Sequence, residues 1–290
     1  MKLKKFLAVT LSSVFALTSL AGCGNSDSDS TDEAKKTAVV IDINLTDEEY
    51  AFGVDKTQPE LLTEVNSFIS EIKSDGTFDE ICDHYFGDGE PVAVASAEYD
   101  SSKDQLVVAT NAAFEPFEYT KGDSYYGIDM EIAAKLAEKL GKELVIQNMD
   151  FDSVCLSVGQ QKCDIAMAGL TIKPDREEYV NFSDSYYSAS QKLIVTSDND
   201  EFANCTDKES VEAILKSKDA SVNVGVQNGT TGQFYCEGDD DWGFEGFSMT
   251  TKGYKNGALA VQDLLNGNIQ YVIIDSAPAD SITASINALQ

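Results

Sequence analysis

"TQPELLTEVNSFISEIKSDGTFDEICDHYFGDG", Thr57 to Gly89, reads as the closing segment of a domain, yet it stands near the start of the chain. Pro59 suits a first helical turn, because its missing N–H is one that a helix leaves unpaired there anyway. Leu61, Val65, Phe68 and Ile72 follow at helical spacing, and Gly76 supplies a left-handed stop. Thr77 and Glu80 predict a capping box for a second helix, with Phe78, Ile81, Cys82, Tyr85 and Phe86 on its inner side. Two helices with one apolar face each need a sheet to cover. Only two strand patterns precede them, "TAVVIDINL" (Thr37–Leu45) and "EEYAFGV" (Glu48–Val54). "DGEPVAVASAEYDSSKD" (Asp88–Asp104) then reads as a linker, and His84 as a surface residue of the second helix.

Working outward, regular alternation begins only at Leu106. "LVVAT" is a compact strand. Asp129 is expected to cap a helix carrying Ile132, Leu136 and Leu140 on one face and ending at Gly141. "ELVIQ" is a strand, "FDSVCLSVGQQ" a helix and "DIAMAG" a strand. After "SASQKLIVTS" the rhythm restarts: "SVNVGVQ" strand, "QFYC" helix start, "ALAVQDLLNG" helix, "QYVIID" strand, "APADSITASINA" helix. Two successive β/α units predict an α/β protein of two lobes, each with a mostly parallel sheet flanked by helices.

The chain opens with Lys2, Lys4 and Lys5, then an apolar run too short for a permanent membrane span. Residues 1–22 read as a secretory signal ending in "LAGC", which resembles a bacterial lipobox with Cys23 as the lipidated residue. The alternative is an ordinary cleaved signal with an incidental cysteine. Residues 23–36 are polar and acidic, with nothing to bury, and read as a flexible tether. A formal charge of −29 repels nucleic acid and anionic lipid and favours solubility. Five cysteines follow Cys23, an odd number that argues against a full disulfide framework. Cys155 and Cys163 fall at apolar positions, as buried thiols do, and Cys205 with Cys236 is the one pair worth considering as a bridge.

Most catalytic chemistry lacks its residues. His84 is the sole histidine, and there is no G-x-S-x-G, H-E-x-x-H or C-x-x-C; "GVQNGTTG" lacks the Lys-Ser/Thr of a P-loop. A binding protein needs none of these, and no cofactor or metal is called for.

In open α/β sheets ligands lie beyond the carboxyl ends of the strands. Asn111 and Phe114 follow "LVVAT"; Ala168, Gly169 and Thr171 end or follow "DIAMAG"; Gln227, Thr230 and Thr231 follow "VNVGV"; Asp275 ends "QYVIID". Arg176 is the only arginine in the chain. A position that takes arginine where lysine serves everywhere else needs a planar fork, which matches a carboxylate in two-pronged fashion; a local ion pair is the other explanation. Asp275 offers a carboxylate to an ammonium, or caps the helix before Ala277-Pro278. Together the two would read the zwitterion of an α-amino acid.

"TNAAFEPFEYTKGDSYYGIDMEIAAKLAEKLG", "MDFDSV", "DIAMAGLTIKPDREEYVNFSDSYYSASQKLIV" and "VGVQNGTTG" resemble the amino-acid-binding proteins of ABC importers, the type 2 periplasmic binding proteins of bacterial extracellular solute-binding protein family 3. The resemblance spans nearly all of residues 37–290. It implies a two-lobed, hinged fold. It makes Phe114 and Phe151 aromatic walls, Gly169 and Thr171 carboxylate or ammonium contacts, and Arg176 the carboxylate clamp, with Ala168 among the ligand-binding residues. Thr231 would give a backbone N–H to the carboxylate, and Asp275 would take the ammonium. It also bears on the misplaced ending, since in these proteins a segment like Leu45–Gly87 comes last and returns to complete the first lobe. The chain is therefore expected to be circularly permuted. Lobe 1 would comprise residues 47–194, with 89–104 as the permutation linker, and lobe 2 residues 37–46 and 195–290. The protein would be a monomer completed in cis, with a swapped dimer as the alternative.

The implied function is capture of a free L-amino acid for an ABC importer permease at the outer face of the membrane, held there by the lipid anchor. Many relatives carry aspartate where Asn111 stands, so neutral Asn111 with Gln227 favours a polar uncharged ligand such as glutamine or cystine. The rivals are a dehydratase-like enzyme of the same fold, using Glu115 or Glu118 as an acid, and a ligand-sensing receptor protein.

Overall fold

The computed structural model describes residues 35–289. The signal, the lipobox cysteine Cys23 and nearly all of the tether lie outside the described residues.

Two five-stranded sheets carry the fold. In the first, strands β4 (Gln105–Thr110), β8 (Glu143–Asn148) and β9 (Ile165–Ala166) run parallel, with β4 central. In the second, β13 (Asn223–Gln227), β14 (Thr250–Tyr254) and β15 (Tyr271–Asp275) run parallel around β13. Each parallel trio is wound by helices: α3 (Ile128–Leu140) and α4 (Val154–Gly159) in the first, α6 (Thr231–Glu237) and α7 (Gly257–Leu265) in the second. Each trio is then extended by two antiparallel strands. The first sheet gains β3 (Gly53–Asp55) and β10 (Val180–Phe182). The second gains β12 (Gln191–Thr196) and, at its edge, β1 (Ala38–Ile41). The two mixed sheets thus have the same plan. Between them β2 (Glu48–Tyr50) pairs antiparallel with β11 (Tyr187–Ala189), where the chain crosses from one lobe to the other in both directions. A small meander, β5 (Ala113–Phe114), β6 (Glu118–Lys121) and β7 (Ser124–Tyr126), stands over the first lobe.

The leading segment is therefore spread over the whole molecule: β1 goes to the second sheet, β2 to the crossing and β3 to the first sheet. "EEYAFGV" is not one strand, because Ala51 and Phe52 bend the chain from the crossing into the first sheet. Helices α1 (Pro59–Asp75) and α2 (Thr77–Phe86) then cover the first lobe. Val65, Phe68, Ile69, Ile72 and Ile81 are buried in one cluster with Leu106, Val108, Ile132 and Leu136. Each large apolar side chain so covered contributes about 1.5–3 kcal/mol. The second lobe packs α5 (Lys208–Lys216), α7 and α8 (Ser276–Ala288) around its own sheet, with Val224, Val226, Val272 and Ile273 fully buried.

Several local expectations are corrected. Thr77 is the first residue of α2, not its cap. Gly76, at φ +87°, ends α1 and begins α2, so no extended residue remains between them to carry a capping side chain; the Thr77 N–H is taken instead by Asp75 Oδ1 at 2.9 Å. Asp129 lies inside the first turn of α3, whose cap position is Gly127, and its carboxylate points inward. Strand β12 belongs whole to the second sheet, so the crossing falls before Gln191 rather than after residue 194. His84 is not a free surface residue: its ring nitrogen Nδ1 lies 2.9 Å from the buried Glu131. The Tyr85 hydroxyl and the Val92 N–H also donate to Glu131, at 2.6 and 3.1 Å. The expected linker is anchored by these bonds, by Val94 pairing with Tyr125 and by the Ala97 N–H donating to Leu144. Cys205 and Cys236 are free thiols, as are Cys82, Cys155 and Cys163. Among the described residues no helix is long and apolar enough to cross a membrane.

Candidate ligand-binding site

The carboxyl ends of β4, β9, β13 and β15 converge where the lobes face each other, and the chain crossing β2/β11 forms one wall of that junction. Residues from both lobes meet there. Asn111, directly after β4, donates its amide to the Met149 carbonyl at 2.7 Å, and its Oδ1 accepts from the Gln227 amide at 3.1 Å. The Thr231 hydroxyl donates to the Thr171 hydroxyl at 3.3 Å. Thr230 is the cap position of α6, but its hydroxyl donates to the Gln227 carbonyl at 2.8 Å rather than capping the helix. At the start of α6 the Gln233 and Phe234 N–H groups donate to the Thr230 carbonyl at 3.0 and 3.3 Å, and the N–H groups of Thr231 and Gly232 precede the first intrahelical bonds.

Arg176 is buried beyond β9, in a 3-10 turn. Its fork does not pair with a carboxylate among the described residues. Nη1 donates to the Thr171 carbonyl at 2.7 Å and Nη2 to the Gly229 carbonyl of the second lobe at 2.9 Å. A guanidinium has five N–H donors, so these two bonds hold its plane and leave the others free. The guanidinium carbon also stands 5.2 Å from the Phe151 ring centroid. Phe151 is half-buried in the turn before α4. Phe114 is 4% exposed and leans on Phe117 at 6.2 Å. A Cβ added at Gly169, where φ is +53°, would come within 2.9 Å of the Phe114 ring. Phe114 is thus packed into the core beside Gly169, and Gly169 is required by both conformation and contact. Ala168 is fully buried.

Asp275 occupies the cap position of α8, but its side chain makes no cap bond. It is 3% exposed and accepts from the Tyr50 hydroxyl at 2.6 Å. Burial raises its pKa, the charge of Glu48 raises it further, and bonds from Tyr50 and Gln191 oppose both; the result is about 7.

The sequence reading missed the site positions of Glu48, Asp129 and Gln191, and named Glu118 only as the acid of a rival enzyme. Glu48, on β2, accepts from Thr46 and Gln191 through one oxygen, at 2.5 and 3.0 Å, and from the Thr171 hydroxyl through the other, at 2.7 Å. Thr171 therefore spends its proton on Glu48 and presents only lone pairs to anything else. Asp129 accepts from the Gly169 N–H at 2.9 Å and the Tyr186 hydroxyl at 2.6 Å. Burial raises it to about 7 despite those two bonds. Glu118, fully buried on β6, has no hydrogen-bond partner on either carboxyl oxygen. Burial first, then the charges of Asp129 and Asp275, hold it well above the usual carboxylate range. Gln191 and Gln227 each keep one buried amide oxygen without a partner. The one signal in the sequence is the alternation of "EEY", which puts Glu48 on the same side as the core aromatic Tyr50 two residues away.

The match of residues 106–274 to the family model of bacterial extracellular solute-binding proteins, family 3, places the chain in that family. The chain is 30% identical over 193 residues to the arginine-binding extracellular protein ArtP of Bacillus subtilis (strain 168), covering 66% of this chain and 69% of that protein. Among solved structures, an ancestral arginine-binding protein bound to arginine superposes with a TM-score of 0.53 at 30% identity, covering 63% of this chain and 75% of that one. An ancestral amino acid-binding protein described as a precursor of cyclohexadienyl dehydratase does so with a TM-score of 0.53 at 28% identity, over 63% of this chain and 75% of that one.

Proposed function

We propose that this protein is an extracytoplasmic receptor that closes its lobes on a free amino acid and delivers it to an ABC importer. The observation that carries the reading is the polarity of the junction. One end holds the spare N–H donors of Arg176 and the first turn of α6, which suit a carboxylate. The other holds Asp275, which suits an ammonium. Phe114 and Phe151 flank the space between, and Ala168, Gly169 and Thr230 shape its floor.

The side chain of the ligand meets Asn111 and Gln227. Asn111 has given one amide N–H to Met149 and Gln227 one to Asn111, while Gln227 Oε1 stays buried without a partner. That orphaned acceptor favours a ligand side chain that donates an N–H bond. Glutamine meets that demand, in keeping with a polar uncharged ligand. Arginine meets it too, and a second observation favours it: Glu48, Glu118, Asp129 and Asp275 are all buried, with Asp275 close to Glu48 and to Glu118. The names of the Bacillus subtilis relative and of the arginine-bound ancestral protein point the same way.

The order of segments supports a circular permutation. The family match begins at residue 106, while the leading segment, outside it, supplies a strand to each sheet and both helices over lobe 1. The same contacts are the argument for completion in cis and a monomeric receptor. Lipidation at Cys23 would tether it to the outer face of the membrane. A receptor rather than a dehydratase is favoured because the junction reads both poles of a zwitterion. Calorimetric titration with arginine, glutamine, histidine, cystine and glutamate tests the proposal. Saturable binding of an N–H-bearing amino acid, with glutamate rejected, is expected; silence toward the whole panel, or turnover of a ring substrate, would overturn it.

A further inference from the structure

Lys173 follows the glycine-bearing loop after β9, on the first lobe, and its side chain is 4% exposed. Its ammonium lies 2.9 Å from Asp175 on its own lobe and 2.9 Å from Asp239 on the other. It also stands 4.1 Å from the centroid of the Phe234 ring, on α6 of the second lobe. A lysine over an aromatic face with a carboxylate beside it is held by charge from two directions. Asp239 is built to receive it. The backbone of Asp239 exchanges two hydrogen bonds with Phe244, and its Oδ1 accepts from the Asp241 and Trp242 N–H groups, leaving Oδ2 for the lysine. None of these groups belongs to the set that reads the amino acid.

We infer that Lys173 is a positioning residue that latches the lobes shut, gripping Asp239 and Phe234 when the cleft closes and keeping Asp175 as its partner when it opens. The inference rests on the proposed function only in taking lobe closure as the working motion. Because one carboxylate is on each lobe, the two aspartates separate a latch from a local ion pair. D239N keeps the Oδ1 acceptor and sets an amide against the ammonium; D175N makes the same chemical change without crossing the junction.

The test has a ligand-free arm and a binding arm. In small-angle X-ray scattering of the free protein, D239N is expected to have a larger radius of gyration than the wild type, and D175N an unchanged one. With L-arginine as the probe, D239N should lose at least tenfold in affinity and D175N less than twofold. The double variant K173M/D239N should bind no worse than K173M alone, since the second change then has nothing left to remove. Equal radii for the wild type and D239N would overturn the latch, whichever ligand the protein takes. Equal losses in D239N and D175N would do the same. Failure of the wild type to bind any amino acid would refute the proposed function instead, with the scattering arm still deciding the latch.

Discussion

Lowering the pH should loosen the protein's hold on an amino acid through one residue, Asp275. Its pKa in the free protein is about 7, set by burial and by the neighbouring charge of Glu48. An ammonium in its place beside Asp275 favours the ionised carboxylate, so binding must drive off any proton the acid holds. The sign follows: a pKa raised in the free state makes affinity fall as pH drops through that value. For a single site of that pKa, the acid is about 3% ionised at about pH 5.5 and about 90% ionised at about pH 8. Affinity should therefore differ roughly 30-fold between those conditions, about 2 kcal/mol. Isothermal titration in two buffers of unlike ionisation enthalpy measures both the affinity and the protons released, which should approach one per ligand near pH 5.5. Asp275→Asn should bind weakly at pH 8 and show no such slope. A flat affinity in the wild type would remove Asp275 from the ammonium's company. A slope that survives in Asp275→Asn would shift the titration to Asp129, the other buried acid at about 7.

Arg176→Lys should weaken binding by about 1.5–3 kcal/mol despite keeping the charge, because one ammonium cannot span Thr171, Gly229 and a ligand carboxylate; unchanged titration curves would make the fork purely structural. Glu118→Gln should stabilise the free protein at pH 8 and change little at pH 4.5. The pKa of Glu118 is raised in the fold, so its contribution is intact below the unfolded value and lost as pH rises; a melting-temperature difference that does not grow with pH would contradict this. Gly169→Ala should cost both stability and affinity, since the φ of +53° and the 2.9 Å approach to Phe114 each oppose a side chain; thermal unfolding and titration check the two losses separately. A chain beginning at Ser101 should be insoluble or molten, having lost β1, β3, α1 and α2, and a well-folded, ligand-binding product would undo the argument for the leading segment.

The sequence by itself settled the periodic elements and the turns that meet at the junction of the lobes. Helices α1, α3, α7 and α8 declared themselves through apolar residues at helical spacing bounded by proline or glycine, and the parallel strands through unbroken apolar runs. The rule that strands end at the ligand gathered Asn111, Gly169, Thr171, Gln227 and Asp275 in one place, and the rarity of arginine singled out Arg176. These are local signals, each written within about a dozen residues. Only the tertiary structure decided which side chains share a proton or a charge. Asp129 looked like a helix cap because its neighbours in sequence begin a helix; its partners, Gly169 and Tyr186, lie 40 and 57 residues away. Glu48 and Tyr50 looked like an ordinary strand, and became part of the junction because the chain crosses between the lobes at that point. Hydrogen-bond direction and burial depend on groups distant in the chain, and a carboxylate's charge state depends on both. No periodicity in the sequence encodes that.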